Sequence, residues 1–283
     1  MRDIFELIAV RPPYCALEEP VVGQGSVVAG VKRSHPMKRE TGAIAAAEVG
    51  RHLAIAGAVA VATENPSPGK HFYLARGARI ERVGEVSASP EASETFRVQA
   101  VAEGIKKRQA AASAALSVER DGGWQDLYRI RVEYEVIAPS IFARMTRALP
   151  RMCLDGGQEA DVFSLPLDPL LDEAGDACAV LKVLPEHCFG HFPEYPAFPV
   201  AKLMHLLSTL AGEHLSLRLD APDLRYSVER ADVSAERLAF AGSEVALKSR
   251  YVRREADGTH HLLCEALVDE GLCGSMDLFL REQ

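Results

Sequence analysis

The sequence predicts an α+β protein in which one plan is given twice, a long buried helix followed by a run of antiparallel strands. Three observations lead there. Residues Gly42 to Ala62 form an Ala-rich segment with few charges, the composition of a buried helix. A second apolar stripe at helical spacing comprises Val200, Leu203, Met204, Leu207, Leu210 and Ala211. Each helix is followed by strand-like segments, most clearly Trp124 to Ile137, where apolar and charged residues alternate at period two as on a half-buried antiparallel sheet. With 283 residues the chain can form two domains of about 140, each able to bury a core. The expected organisation is a first half over 1–140, a linker over 141–175 and a second half over 176–283.

Taken in order, the first helix ends at the breaker Asn65-Pro66-Ser67-Pro68-Gly69. Strands are expected from Phe72 to Ile80, Thr95 to Ala102 and Ala110 to Glu119. Asp121-Gly122-Gly123 then turns the chain into the alternating strand that starts at Trp124. The stretch from Pro139 to Ala177 carries proline punctuation, the Asp155-Gly156-Gly157 turn and the acidic run Asp172 to Asp176, which read as linker. Ala177 to Leu184 is an apolar strand. The second helix follows, and after it come strands at Leu224 to Val233, Val245 to Arg253, Leu262 to Val268 and Ser275 to Leu280.

Composition removes several classes of function. Hydrophobic residues make up 48% and charged residues 25%, which excludes disorder and a disulfide scaffold. A balance of 32 Lys+Arg against 40 Asp+Glu gives no electrostatic reason to bind nucleic acid or an anionic membrane. No apolar run reaches the roughly 20 residues of a membrane-spanning helix. The opening Met-Arg-Asp-Ile-Phe-Glu-Leu carries acids inside what would be the apolar region of an export signal, so a cytoplasmic protein is expected. Cys15, Cys153, Cys178, Cys188, Cys264 and Cys273 include no C-x-x-C pair and read as reduced thiols.

The chemistry is concentrated in Cys188-Phe189-Gly190-His191-Phe192-Pro193-Glu194-Tyr195-Pro196-Ala197-Phe198-Pro199, which runs straight into the second helix. Three prolines stiffen the loop and bias the residues before them toward extended geometry. A histidine held there, beside a helix N-terminus whose free N–H groups can polarise a carbonyl, makes a site for proton transfer. His187, Cys188 and His191 lack a fourth ligand at metal spacing, so no metal is expected. Lys106-Lys107-Arg108 and Arg250 with Arg253-Arg254 read as solvated faces that could also dock an acidic carrier. His260-His261 reads as solvated.

Gly190, His191, Phe192, Pro193, Pro196 and Pro199 resemble the G-H-F-P-x-x-P-x-x-P hallmark of the 3-hydroxyacyl-[acyl carrier protein] dehydratases. The likeness covers Leu170 to Leu217 and elsewhere extends only to element order. It implies the hotdog fold, here as a tandem double hotdog with two long helices each wrapped by a curved antiparallel sheet. It also implies an active site shared between two hotdogs, with a histidine from one and a helix acid from the other. Two positions depart from the family: Val200 stands where its glycine follows the last proline, and His205 where its helix carboxylate belongs. The resemblance therefore points across the halves to Glu48 as the protonated acid, raised in pKa by an apolar helix, with His52 one turn on. Gly190, Phe192, Pro193, Phe198, Val200 and His52 would line the substrate. The mirror-image pair, His205 and His35, would be a decayed site.

The activity so implied is a hydro-lyase reaction of fatty-acid or polyketide synthesis. His191 would remove the C2 proton of a 3-hydroxyacyl thioester, Glu48 would help the C3 hydroxyl leave, and N–H groups near Val200 would polarise the carbonyl. No cofactor is required beyond the phosphopantetheine arm of an acyl carrier protein or CoA. Two other functions remain open: an acyl-thioesterase, in which a carboxylate activates water, and a non-catalytic acyl-binding hotdog. The duplication also allows a homodimer.

Overall fold

The computed structural model describes residues 4–85, 94–147, 149, 167 and 169–283. Along the chain the elements are α1 (Ile4–Leu7), β1 (Leu17–Gly23), β2 (Ser26–Val31), α2 (Ala46–Glu64), β3 (Phe72–Arg82), β4 (Phe96–Lys106), β5 (Gln109–Arg120), β6 (Gly123–Ile137) and α3 (Pro139–Met145). Then follow β7 (Leu170–Leu171), β8 (Ala177–Lys182), α4 (Val200–Arg218), β9 (Tyr226–Ala235), β10 (Glu244–Arg254), β11 (His260–Val268) and β12 (Gly271–Glu282). The strands form one sheet in the order β1-β2-β4-β5-β6-β3-β9-β12-β11-β10-β8-β7. Read inward from either edge, the two halves of that order are the same, 1-2-4-5-6-3 and 7-8-10-11-12-9. They meet where β3 pairs with β9 antiparallel, from Gly77↔Ser234 to Glu81↔Arg230.

Period-two alternation places one face of the sheet against the helices. On β6, Tyr128, Ile130, Val132, Tyr134 and Val136 are buried. Between them, Arg131 pairs with Glu103 and Glu135 with Arg76 and Arg108 on the other face. The main core runs without interruption through both halves, with α2 and α4 packed on it. Small residues on α2 let it lie close to the strands. A Cβ on Gly57 would stand 2.5 Å from the Tyr134 hydroxyl and 3.1 Å from Ala112 Cβ, and that hydroxyl donates to Ala54 O at 2.7 Å. Gly212 on α4 makes the same room for Tyr226, whose hydroxyl donates to Ser208 O at 3.3 Å.

Several boundaries differ from the sequence reading for physical reasons. α2 starts at Ala46 rather than Gly42, because Ala45 is extended and the buried Glu40 carboxylate accepts the Ala46 N–H at 2.8 Å. β1 and β2 were not expected. Pro20 disguises β1, and it is tolerated because β1 lies at the sheet edge, with a register shift between Glu18 and Val21. His260 and His261 are paired rather than solvated: His260 Nε2 lies 2.7 Å from Glu282 and His261 Nε2 2.6 Å from Asp277. Most of the expected linker lies outside the described residues, as does Cys153.

Gly57→Ala gains about 1 kcal/mol of helix propensity, yet the collision with Tyr134 should cost about 1–3 kcal/mol. A lowered denaturation midpoint, partly restored by adding Tyr134→Phe, is the expected outcome. Unchanged stability of the single variant would show that Tyr134 yields freely.

Candidate active site

The His191 loop is clasped by the N-terminal segment. Val10 and His191 form an antiparallel bridge, Arg11 N–H donates to Gly190 O at 2.9 Å, and Phe192 N–H donates to Ala9 O at 3.2 Å. Gly190 has φ +76°, and a Cβ there would lie 2.8 Å from Tyr14 N, so only glycine fits the close approach. Phe192 takes φ +52°, unusual for a bulky residue. Packing holds it there: its ring meets Phe72 and Phe142 edge-on at 5.1 and 5.5 Å. Phe192 also stacks on the His191 imidazole at 3.9 Å, while Tyr14 meets that imidazole edge-on at 5.1 Å. Pro193 lies in the turn closed by Tyr195 N–H donating to Phe192 O at 2.8 Å.

His191 Nδ1 lies 2.8 Å from Ala197 O. A carbonyl only accepts, so Nδ1 carries the proton and Nε2 is left as the basic nitrogen. Burial pushes the imidazole down to about 4; the Ala197 carbonyl opposes that shift and the nearby Lys202 charge adds to it. The ring is therefore neutral at pH 7. Lys202 is itself fully buried and donates from Nζ to His187 O at 3.1 Å, tying α4 to the loop. His187 Nδ1 accepts the Leu184 N–H, so His187 and His191 are turned to different backbone partners. Among the described residues no three His, Cys, Asp or Glu side chains converge as a metal would need.

His191 and Phe192 line a cavity of about 140 Å³ between the two helices and the sheet. Its walls are mostly apolar and come from both halves, including Ala46, Ala47, Gly50 and Ala54 of α2 and Val200, Ala201, Met204 and Ser208 of α4. Pro199, the residue before α4, supplies no side-chain cap. The first N–H groups of α4, which have no acceptor within the helix, thus belong to residues at the cavity wall. Phe198 is buried beside His187, 6.3 Å between rings, rather than in the cavity wall.

Glu48 and His52 belong elsewhere. Glu48 is fully buried, but it is not among the residues that line the cavity. One oxygen accepts from Ser34 N–H and Oγ–H, both at 2.7 Å, and the other from His35 N–H at 3.2 Å. Arg51 and His52 stand 3.5 and 3.6 Å away, and the His35 ring lies 6.2 Å from that of His205. The structure thus brings Glu48 to the His35–His205 pair. Its carboxyl is held low rather than raised: burial pushes it up, but His52, His35 and Ser34 outweigh that. The sequence reading missed the donors because Ser34 and His35 lie on a loop 14 and 13 residues upstream.

No family model matches the chain, and no curated protein matches it. Its backbone, however, matches many solved structures. An acyl-ACP thioesterase from Bacteroides thetaiotaomicron aligns over 91% of this chain and 97% of its own, at 13% identity and a TM-score of 0.56. The tesB protein of Mycobacterium avium subspecies paratuberculosis aligns over 94% and 96%, at 9% identity and a TM-score of 0.60. A hot dog fold protein of unknown function from Alicyclobacillus acidocaldarius aligns over 100% and 99%, at 11% identity and a TM-score of 0.52. The chain has a hotdog fold.

The dehydratase expectation is corrected at this point. The solved structures of this set with a named activity are thioesterases and not dehydratases. The site gives a physical reason as well. Elimination needs an acid to protonate the leaving hydroxyl, and among the described residues no Asp or Glu lines the His191 cavity.

Two outcomes test this geometry. Because the folded His191 pKa is depressed, its neutral form contributes stability that is fully present above about pH 6.5 and lost as pH falls toward 4. Nitrogen-15 NMR should show an Nδ1-protonated, neutral imidazole down to about pH 4; titration near 6.5 would mean that the loop stands open. Glu48→Ala leaves Arg51 buried without its carboxylate and should cost about 3–5 kcal/mol in chemical denaturation. A loss under 1 kcal/mol would show that the cluster is solvated.

Proposed function

We propose that the chain is an acyl-thioester hydrolase with one working site, the His191 cavity. One observation carries the reading: a neutral, backbone-anchored imidazole and an uncapped helix start share the wall of an apolar cavity that no described Asp or Glu lines, so His191 takes the water-activating role expected of a carboxylate. His191 Nε2 takes a proton from water as the water oxygen adds to the thioester carbon. N–H groups at Val200 and Ala201 hold the oxyanion that forms. When the tetrahedral intermediate collapses the C–S bond breaks, and the thiolate takes the proton back from the imidazolium. A thiol has a pKa near 8.5, so sulfur leaves without the strong acid that a hydroxyl needs. The products are a carboxylic acid and a free thiol.

The acyl group would arrive on the phosphopantetheine arm of an acyl carrier protein or of CoA and meet His191, Phe192 and Val200 in the cavity wall, with Gly190 and Pro193 shaping the loop behind them. We read the chain as a tandem double hotdog, its halves over 1–140 and 176–283, supported by the repeated strand order and the 19-residue helix in each half. The mirror position is closed: Glu40 caps α2, and Glu48, Arg51 and His52 fill the space beside His35 and His205. No helix among the described residues is long and apolar enough to cross a membrane.

Release of free thiol from acyl-CoA or acyl carrier protein, followed by mass spectrometry of the intact carrier, tests the proposal. His191→Ala should lower kcat/KM by about 10²–10⁴-fold. The wild-type rate should fall only as pH drops toward 4, where His191 becomes protonated. A carrier left fully acylated across chain lengths would instead favour a binding protein.

A further inference from the structure

Among the polar groups of the cavity wall that the chemistry above does not use, Ser208 is set apart by its hydroxyl. Ser208, on α4, is 6% exposed and lines the cavity; Tyr226 donates to its carbonyl at 3.3 Å, and its Oγ makes no hydrogen bond of good geometry. A helical serine ordinarily returns its hydroxyl to a carbonyl of the preceding turn, and buried hydroxyls are nearly always paired. Three other polar side chains of the wall are engaged: Tyr134 donates to Ala54 O, Tyr73 accepts from Asn65, and Arg76 donates to Glu135 and Glu236 O. Ser208 stands eight residues beyond Val200, about 12 Å deeper along the helix axis. The free space is small. An apolar cavity of about 150 Å³ takes a six-carbon ring, and this one is about 140 Å³.

Resting on the reading of this cavity as the acyl site, we propose that it takes a compact acyl group of about six carbons bearing a hydroxyl or carbonyl oxygen at its far end, hydrogen-bonded by Ser208 Oγ. The thioester lies at Val200 and His191, and the distal oxygen supplies the partner that Ser208 lacks. A plain hydrocarbon chain leaves that hydroxyl unpaired, which a site built to pair it discriminates against.

The test is calorimetric binding to the full chain, using 2-oxoalkyl thioethers of pantetheine that cannot be hydrolysed. The probes carry a six-carbon chain, the same chain with a terminal hydroxyl, and a twelve-carbon chain. The hydroxylated six-carbon probe should bind about tenfold more tightly than the plain one. Ser208→Ala should abolish that difference while keeping the plain probe's affinity and the wild-type melting temperature. Tightest binding of the twelve-carbon probe, or hydroxyl selectivity unchanged in Ser208→Ala, overturns the proposal. Selective binding without hydrolysis of the matching thioester overturns the hydrolase reading and supports this one. Absence of binding by every probe overturns both.

Discussion

The β3–β9 pairing is the constraint on which the rest of the molecule depends. Five residue pairs from Gly77↔Ser234 to Glu81↔Arg230 make two half-sheets continuous and lay α2 and α4 side by side on one face. Neither helix alone encloses a cavity. With both in place, one wall of the His191 cavity comes from the first half and the other from the second. Apolar burial is proportional to the area removed from water, so the continuous core through both halves also makes the cavity a property of the whole chain.

On that frame the two helix starts differ. At α2, Glu40 accepts the first N–H and Glu48 draws in Ser34, His35, Arg51 and His52. Buried charges of this kind are stable only when paired, and the Glu48 carboxylate is paired on both oxygens. At α4 the preceding residue is a proline with no side-chain cap, and the imidazole beside it is anchored through Nδ1 and by ring contacts with Phe192 and Tyr14. The same topology thus yields one closed place and one open one. Side-chain chemistry within a few residues of each helix start makes the difference.

The strain in the loop belongs with the open place. Phe192 at positive φ is held by an aromatic cluster with Phe72, Phe142 and Tyr195. Gly190 lets the backbone of Arg11 and Tyr14 approach. Strained backbone persists where its surroundings over-determine it. The N-terminal clasp is therefore as much a part of the site as the proline-rich loop that it holds.

Much of this was legible in the sequence. Period-two alternation on Trp124 to Ile137 and the Ala-rich segment before Asn65 depend only on which side chains can face water, so they gave β6 and α2 within a few residues. Stiff geometry around His191 could be read from its prolines, and the hotdog fold from the motif they form. The edge strand β1 was hidden because an edge tolerates Pro20, and its neighbour β2 because Ser26–Val31 has small residues and no charge to mark its outer face. The partner of Glu48 was decided only in three dimensions. Helical spacing fixes the face of α2 from which Glu48 projects, but the pairing of β3 with β9 and the path of the Ser34–His35 loop settle what that face meets. The site changed with it: no described Asp or Glu shares the cavity wall with His191, where helical spacing alone had placed Glu48.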